Sequence, residues 1–178
     1  LFLSLSFVAY IVAMSKTTVA NVVFIISTQT IFLAIFGLLF LKEKITFKGF
    51  ASITLAFIGM AVMIGDSINQ GTLFGNIVAF AIPINFTILV MIIRKFPDLD
   101  MIPAIFYSGI FSGIYGLFLA SNLMFSANDV LMGFLLGVPQ LAFGFICVTI
   151  GTKTTQAVTV GLLMLLETIF APIWVWIF

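Results

Sequence analysis

Residues 31–41 read Ile31-Phe32-Leu33-Ala34-Ile35-Phe36-Gly37-Leu38-Leu39-Phe40-Leu41, without a charge or a polar side chain. A strand of a membrane barrel alternates apolar and polar side chains over about ten residues. This run is apolar all round, so it is helix and not strand. The charge-free interval that contains it runs from 17 to 41. Crossing about 30 Å of hydrocarbon takes about 20 helical residues, and the interval is long enough.

Working outward, the other charge-free intervals are 1–15, 49–65, 67–93, 101–128 and 130–152, and a last one starts at 154 and is interrupted only by Glu167. Each supplies one helix, which makes seven. The 49–65 interval is short, and Ile45 and Phe47 can extend it. The opening stretch has no basic region and no small-residue cleavage site, so it is not a signal peptide. Both ends of the chain fall inside apolar runs and read as cut through spans.

Of 178 residues, 63% are hydrophobic and 7% are charged, where a soluble domain carries about 25% charged residues. The mean hydropathy is +1.35. This excludes a soluble globular protein, a disordered chain and a basic nucleic-acid binder. There is no His and one cysteine, Cys147. A Ser-His or Cys-His nucleophilic pair, and a His or multi-Cys metal cage, are therefore absent from the chain. No cofactor and no enzymatic activity are expected.

The short loops set an orientation. Lys42, Lys44 and Lys48, then Arg94 and Lys95, then Lys153 fall on one side, and Lys16 alone on the other. By the positive-inside rule the first side is cytoplasmic.

The chain also repeats itself. Gln29-Thr30-Ile31-Phe32, followed by Ile35, Phe36 and Phe40, matches Glu167-Thr168-Ile169-Phe170, followed by Ile173, Trp174 and Phe178. Upstream, Lys16-Thr17-Thr18 with Ala20 matches Lys153-Thr154-Thr155 with Ala157. The second copy lies five helices after the first, and an odd step reverses its direction across the membrane. Inverted repeats with a site near the midplane are a recurring design of secondary transporters.

Residues 20–44, ending Phe40-Leu41-Lys42-Glu43-Lys44, resemble the end of an EamA-type unit of the drug/metabolite transporter superfamily. Residues 161–178, with Leu165-Leu166-Glu167-Thr168-Ile169-Phe170, are similar to the matching helix of the second unit, and Gly75-Asn76 resembles the start of that unit. The resemblance implies ten spans in two inverted units of five. The seven helices would be the third through the ninth: 1–66 as the last three spans of the first unit, and 67–178 as a second unit lacking its last span. Thr30 and Thr168 stand where the family usually has Pro, and Lys42 stands where it usually has Gly.

Glu167 is the one ionisable side chain well inside a span. An ionised carboxylate there costs several kcal/mol unless it faces a cavity, finds a partner or stays protonated. It reads as a proton acceptor or substrate-amine contact, or else as a hydrogen-bonded carboxyl locking two helices. Its repeat mate Gln29 puts a second polar group at the midplane. Gln156 and Trp174 share the helical face of Glu167, as Thr18 and Phe36 share that of Gln29, although Trp174 and Trp176 also suit simple packing near an interface. Gln140 beside Pro139, Asn85 near Pro83, and Tyr107 with Tyr115 complete the midplane candidates, and prolines there free carbonyls to line a cavity.

Ser108, Ser112 and Gly116 form a small-residue surface suited to close helix packing. Asp98 and Asp100 suggest either a metal-binding pair or a loop with Asp100 capping a helix, and Asp129 suggests a second cap. Glu43 is the signature acid of the resemblance, or an ion-pair partner among lysines.

The expected protein is therefore an all-α integral membrane bundle, seven transmembrane helices of an inferred ten, in two inverted repeats. The expected function is alternating-access transport of a small organic solute, such as an amino acid or metabolite, by export across the inner (plasma) membrane, with proton coupling through Glu167. Its partners would be the solute and the bilayer, with no nucleic acid. A membrane-embedded metal-dependent lipid or glycan transferase using Asp98 and Asp100 is the alternative, and a non-transporting membrane scaffold is a third.

Overall fold

The computed structural model describes the backbone of residues 1–44, 46–64, 72–120 and 126–177, with the side chains of these except 56, 59–64, 168–169 and 171–176. Nine α-helices and one π segment are present among the described residues, and no strand. They are α1 (Phe2–Lys16), α2 (Val19–Ser27), α3 (Gln29–Phe40), α4 (Phe47–Ile64), α5 (Leu73–Lys95), α6 (Ile102–Leu119), α7 (Ala127–Leu135), the π segment (Leu136–Ala142), α8 (Phe143–Thr152) and α9 (Ala157–Ile177).

Two rods are composite. α2 and α3 together make an apolar run of 22 residues, and α7, the π segment and α8 make one of 26. With these joined, seven helical rods follow one another among the described residues, matching the seven charge-free intervals. Among the described residues, four stretches are long and apolar enough to cross a membrane: Val19–Phe40, Leu73–Lys95, Ile102–Leu119 and Ala127–Thr152.

The rods pack around α5, which contacts α1, α2, α3, α8 and α9. Small residues make this possible. Ala9 and Ala13 of α1 meet Ala79 of α5 in one cluster with Val22, Ile25 and Ile82, since small side chains let helix backbones approach. Gly75 goes further. A Cβ there would lie 2.8 Å from the Lys16 carbonyl carbon and from Thr17 Cβ, so only glycine lets α5 begin against the α1–α2 turn. A second cluster joins Leu33 of α3, Phe86 and Val90 of α5, and Ala157 and Val160 of α9.

By contrast, α6 and the α7–α8 rod bury few residues within the chain: Ser108, and Thr149 and Thr152 near the end of α8. Their outer faces carry Phe106, Phe118, Phe134 and Phe143, a surface that hydrocarbon solvates and water does not. Ser108 is buried, whereas a Cβ on Gly109, Gly113 or Gly116 would meet open space. The small-residue face of α6 is thus closely packed at Ser108 and loosely packed beyond it. Ser112 and Gly116 border a cavity of about 220 Å3 shared with Phe7 and Ile11 of α1.

Helix ends follow their side chains. Asp100 Oδ1 accepts from the Ile102 N–H at 3.0 Å, at the first turn of α6. At α7 the cap is Ser126, and Asp129 is its reciprocal partner in a capping box, so the acid supports the cap instead of forming it. The π segment surrounds Pro139, where a missing N–H interrupts the α-helical ladder and a wider turn absorbs the defect.

Candidate functional site

The interrupted rod α2–α3 is the centre of the site. Adjacent hydroxyl side chains create the interruption. Ser27 donates to the Val23 carbonyl at 2.8 Å, and Thr28 donates to the Ile25 carbonyl at 2.6 Å. The Thr28 N–H also turns to Ile25 O, three residues back, and Ile31 N–H turns to Thr28 O. Hydroxyls that bond backward in this way compete with the α-helical ladder and bend it. Proline is therefore not needed for a break here.

Immediately after the break, Gln29 is 7% exposed. Its carboxamide makes no hydrogen bond among the described residues but keeps some accessible surface; the side-chain atoms both buried and without a partner there are Asn21 Oδ1 and Thr152 Oγ1. Thr30, the next residue, is fully buried and donates its hydroxyl hydrogen to the Gly161 carbonyl of α9 at 3.1 Å. A Cβ on Gly161 would stand 3.0 Å from Thr30 Cα. The break is thus held against α9 by a backbone-to-backbone approach.

Each end of the bundle carries a polar tie. At one end Thr17 Oγ1 donates to Asn76 Oδ1 at 2.7 Å, and Asn21 Nδ2 donates to Thr17 Oγ1 at 3.0 Å. Thr72 Oγ1 donates to the Lys16 carbonyl. At the other end Glu43 accepts from Arg94 Nη2 at 2.6 Å and Nε at 3.1 Å through Oε1, and from the Ala157 N–H at 2.8 Å through Oε2. Arg94 Nη1 donates to the Lys153 carbonyl, and Lys153 Nζ to the Leu99 carbonyl. One network therefore joins all three basic connections of the chain.

The conformation that delivers Glu43 is unusual. Leu41 and Glu43 N–H both donate to the Gly37 carbonyl at 3.1 Å, and Lys42 between them has φ 53°. This is the left-handed helix end that glycine ordinarily occupies, at the position where the resemblance has Gly.

The remaining sequence candidates are dispersed. Glu167 on α9, Gln140 in the π segment, Gln156 just before α9 and Tyr107 on α6 are exposed, and Asn85 and Tyr115 are half-buried. No hydrogen bond joins the side chains of Gln29, Glu167, Gln140, Gln156, Asn85 and Tyr107 to one another among the described residues. The side chains of Trp174, Trp176 and Thr168 lie outside the described residues. No group of three or more His, Cys, Asp and Glu residues comes together among the described residues.

Sequence reasoning places Glu43 among its neighbouring lysines, but the ion pair is with Arg94, 51 positions away. It also passes over Asn21, Asn76 and the break. For the break, the adjacent Ser27-Thr28 pair in an apolar run is the available signal.

A bundle of apolar helices with an interrupted, polar-centred span defines a multi-pass membrane protein. Residues 1–65 match the family model described as the EamA-like transporter family. No curated protein and no solved structure matches the chain. The matched segment covers α1 to α4, including the break, Gln29 and Glu43, and it points to a membrane transporter of the drug/metabolite type.

Proposed function

We propose that this protein is a secondary carrier that moves a small organic solute, such as an amino acid or metabolite, out across the plasma membrane by alternating access. The observation that carries the proposal is Gln29, 7% exposed and with a carboxamide that has no hydrogen-bond partner among the described residues, at a break in a spanning rod. Interrupted helices of carriers line midplane sites with freed backbone and polar groups, and the carboxamide of Gln29 offers a solute both donors and an acceptor. In this reading 1–66 and 67–178 belong to two inverted five-span units, whose relative rocking exposes Gln29 to either side. Glu167, the repeat mate of Gln29, then takes up a proton or meets a substrate amine when the α9 face becomes solvated. Asn85, Gln140, Gln156, Tyr107 and Trp174 extend the pathway along the other rods.

The test is flux in reconstituted vesicles, with a panel of labelled amino acids and an imposed pH gradient. Flux above that of protein-free vesicles, with its pH dependence lost in Glu167→Gln, is the expected result. Flux equal to protein-free vesicles across the panel defeats the carrier reading. An unaltered pH profile in Glu167→Gln defeats the coupling role alone.

A further inference from the structure

The two end ties are built from opposite chemistry. The Asn76 end uses amides and hydroxyls alone: Thr17, Asn21, Asn76, Thr72 and the Lys16 carbonyl. The Arg94 end is charged, with Glu43 held on two guanidinium nitrogens and on the first N–H of α9. Both ties connect the segment before 66 to the segment after it, and Gln29 lies between them along the chain of α2 and α3. The Glu43 and Arg94 side chains are 8% and 19% exposed, so solvent screens this pair less than a surface pair. The carboxylate also sits at the positive end of α9, where the helix dipole favours it.

We propose that Glu43–Arg94–Ala157 is the gate at the basic end of the carrier, that Thr17–Asn21–Asn76 is the gate at the opposite end, and that their unequal strength sets the resting state. This rests on the carrier reading. Charge-assisted hydrogen bonds are roughly twice as strong as neutral ones. The neutral gate therefore yields first, and the protein rests closed at the Arg94 end and open more readily at the Asn76 end. Glu43 acts as a positioning residue: it touches no solute, and it governs transport by holding α3 to α5 and α9.

The prediction is reciprocal accessibility. Val90 and Ala79 are both fully buried on α5, Val90 one turn from Arg94 and Ala79 one turn from Gly75 and Asn76. In the full-length protein carrying Cys147→Ser, single reporters Val90→Cys and Ala79→Cys are labelled in proteoliposomes with a membrane-impermeant maleimide on both sides. Adding Glu43→Gln is expected to raise the Val90→Cys rate about tenfold and to lower the Ala79→Cys rate, a factor typical of coupled sites. Glu43→Asp is expected to restore part of the difference. Thr17→Val, which loosens the other end, is expected to change both rates in the opposite sense, and it keeps the test decisive if Glu43→Gln does not fold. A parallel rise at both reporters is mere loosening and overturns the proposal, as does no change at either. Solute flux is measured on the same vesicles. Reciprocal labelling without flux removes the carrier reading and leaves the two-gate coupling standing. Flux without reciprocal labelling does the reverse.

Discussion

Thr30 of α3 donates its hydroxyl hydrogen to the main-chain carbonyl of Gly161 in α9, 131 residues further along the chain, at 3.1 Å. Here α3 and α9 meet at backbone distance, and each residue is needed for it. Gly161 has no Cβ to hold Thr30 away. Thr30 gives a buried carbonyl a second donor without opening its helix.

Gly161→Ala would place a methyl group 3.0 Å from Thr30 Cα and Cγ2 and 3.2 Å from Leu33 Cδ1. Backbone cannot swing aside as a side-chain tip can, so the helices must separate, at a cost of about 1–3 kcal/mol. Gly109→Ala on α6 meets open space and should be neutral or slightly stabilising, since alanine favours helix by about 1 kcal/mol. Thermal unfolding in detergent compares the two. Equal shifts for both would contradict the close α3–α9 approach.

Lys42 occupies a left-handed backbone conformation, with φ 53°. That conformation costs a residue with a Cβ about 1–2 kcal/mol, and glycine avoids most of it. Lys42→Gly should raise the unfolding midpoint and leave the Glu43 contacts in place. A lowered midpoint would show that the lysine side chain contributes more than its backbone costs.

Gln29→Leu replaces a carboxamide that has no hydrogen-bond partner among the described residues with an apolar group of similar size. The folded state should change by less than about 1 kcal/mol, because no protein hydrogen bond is lost. Transport should fall tenfold or more, as it does where a site loses the group that pairs with its substrate (about 10⁴-fold in strong cases). Stability and vesicle flux are measured on the same preparation. Loss of both together would make Gln29 a structural residue.

Glu43 accepts from Arg94 with one oxygen and from the Ala157 N–H with the other. Glu43→Gln keeps a carbonyl oxygen for Ala157, whereas Glu43→Ala leaves that N–H and the Nε and Nη2 of Arg94 without their acceptor. Alanine should therefore be the more damaging change, by about 1–3 kcal/mol. A double-mutant cycle of Glu43→Gln with Arg94→Gln should give a coupling of about 0.5–3 kcal/mol. A coupling near zero would mean that the ion pair does not hold the two rods.

Much of the fold is legible in the amino-acid sequence. Length and hydropathy suffice for the seven rods, because hydrocarbon demands about 20 apolar residues per crossing and local helical hydrogen bonds satisfy the backbone. The cap expected of Asp100 is only partly legible: Asp100 accepts from the first N–H of α6, but the N-cap is Met101, one residue on. Glu43 stands out as a motif residue, but its partner does not. Arg94 is 51 positions away, and its distance in space depends on how α5 leans on α3.

What the sequence determined by itself is what local chemistry controls: helix, apolar span and acid scarcity. Only the tertiary structure decided which polar groups are paired. It buried Gln29 without a partner among the described residues and left Glu167, Gln140, Gln156 and Tyr107 on exposed faces. It joined Glu43 to Arg94 and Ala157, and Thr17 to Asn76. The physical reason is that helix rotation and tilt are set by packing between rods, at contacts such as Gly75 on Lys16 and Gly161 on Thr30. Hydropathy says that a helix is in the membrane, and small-residue contacts decide which way each of its polar side chains turns.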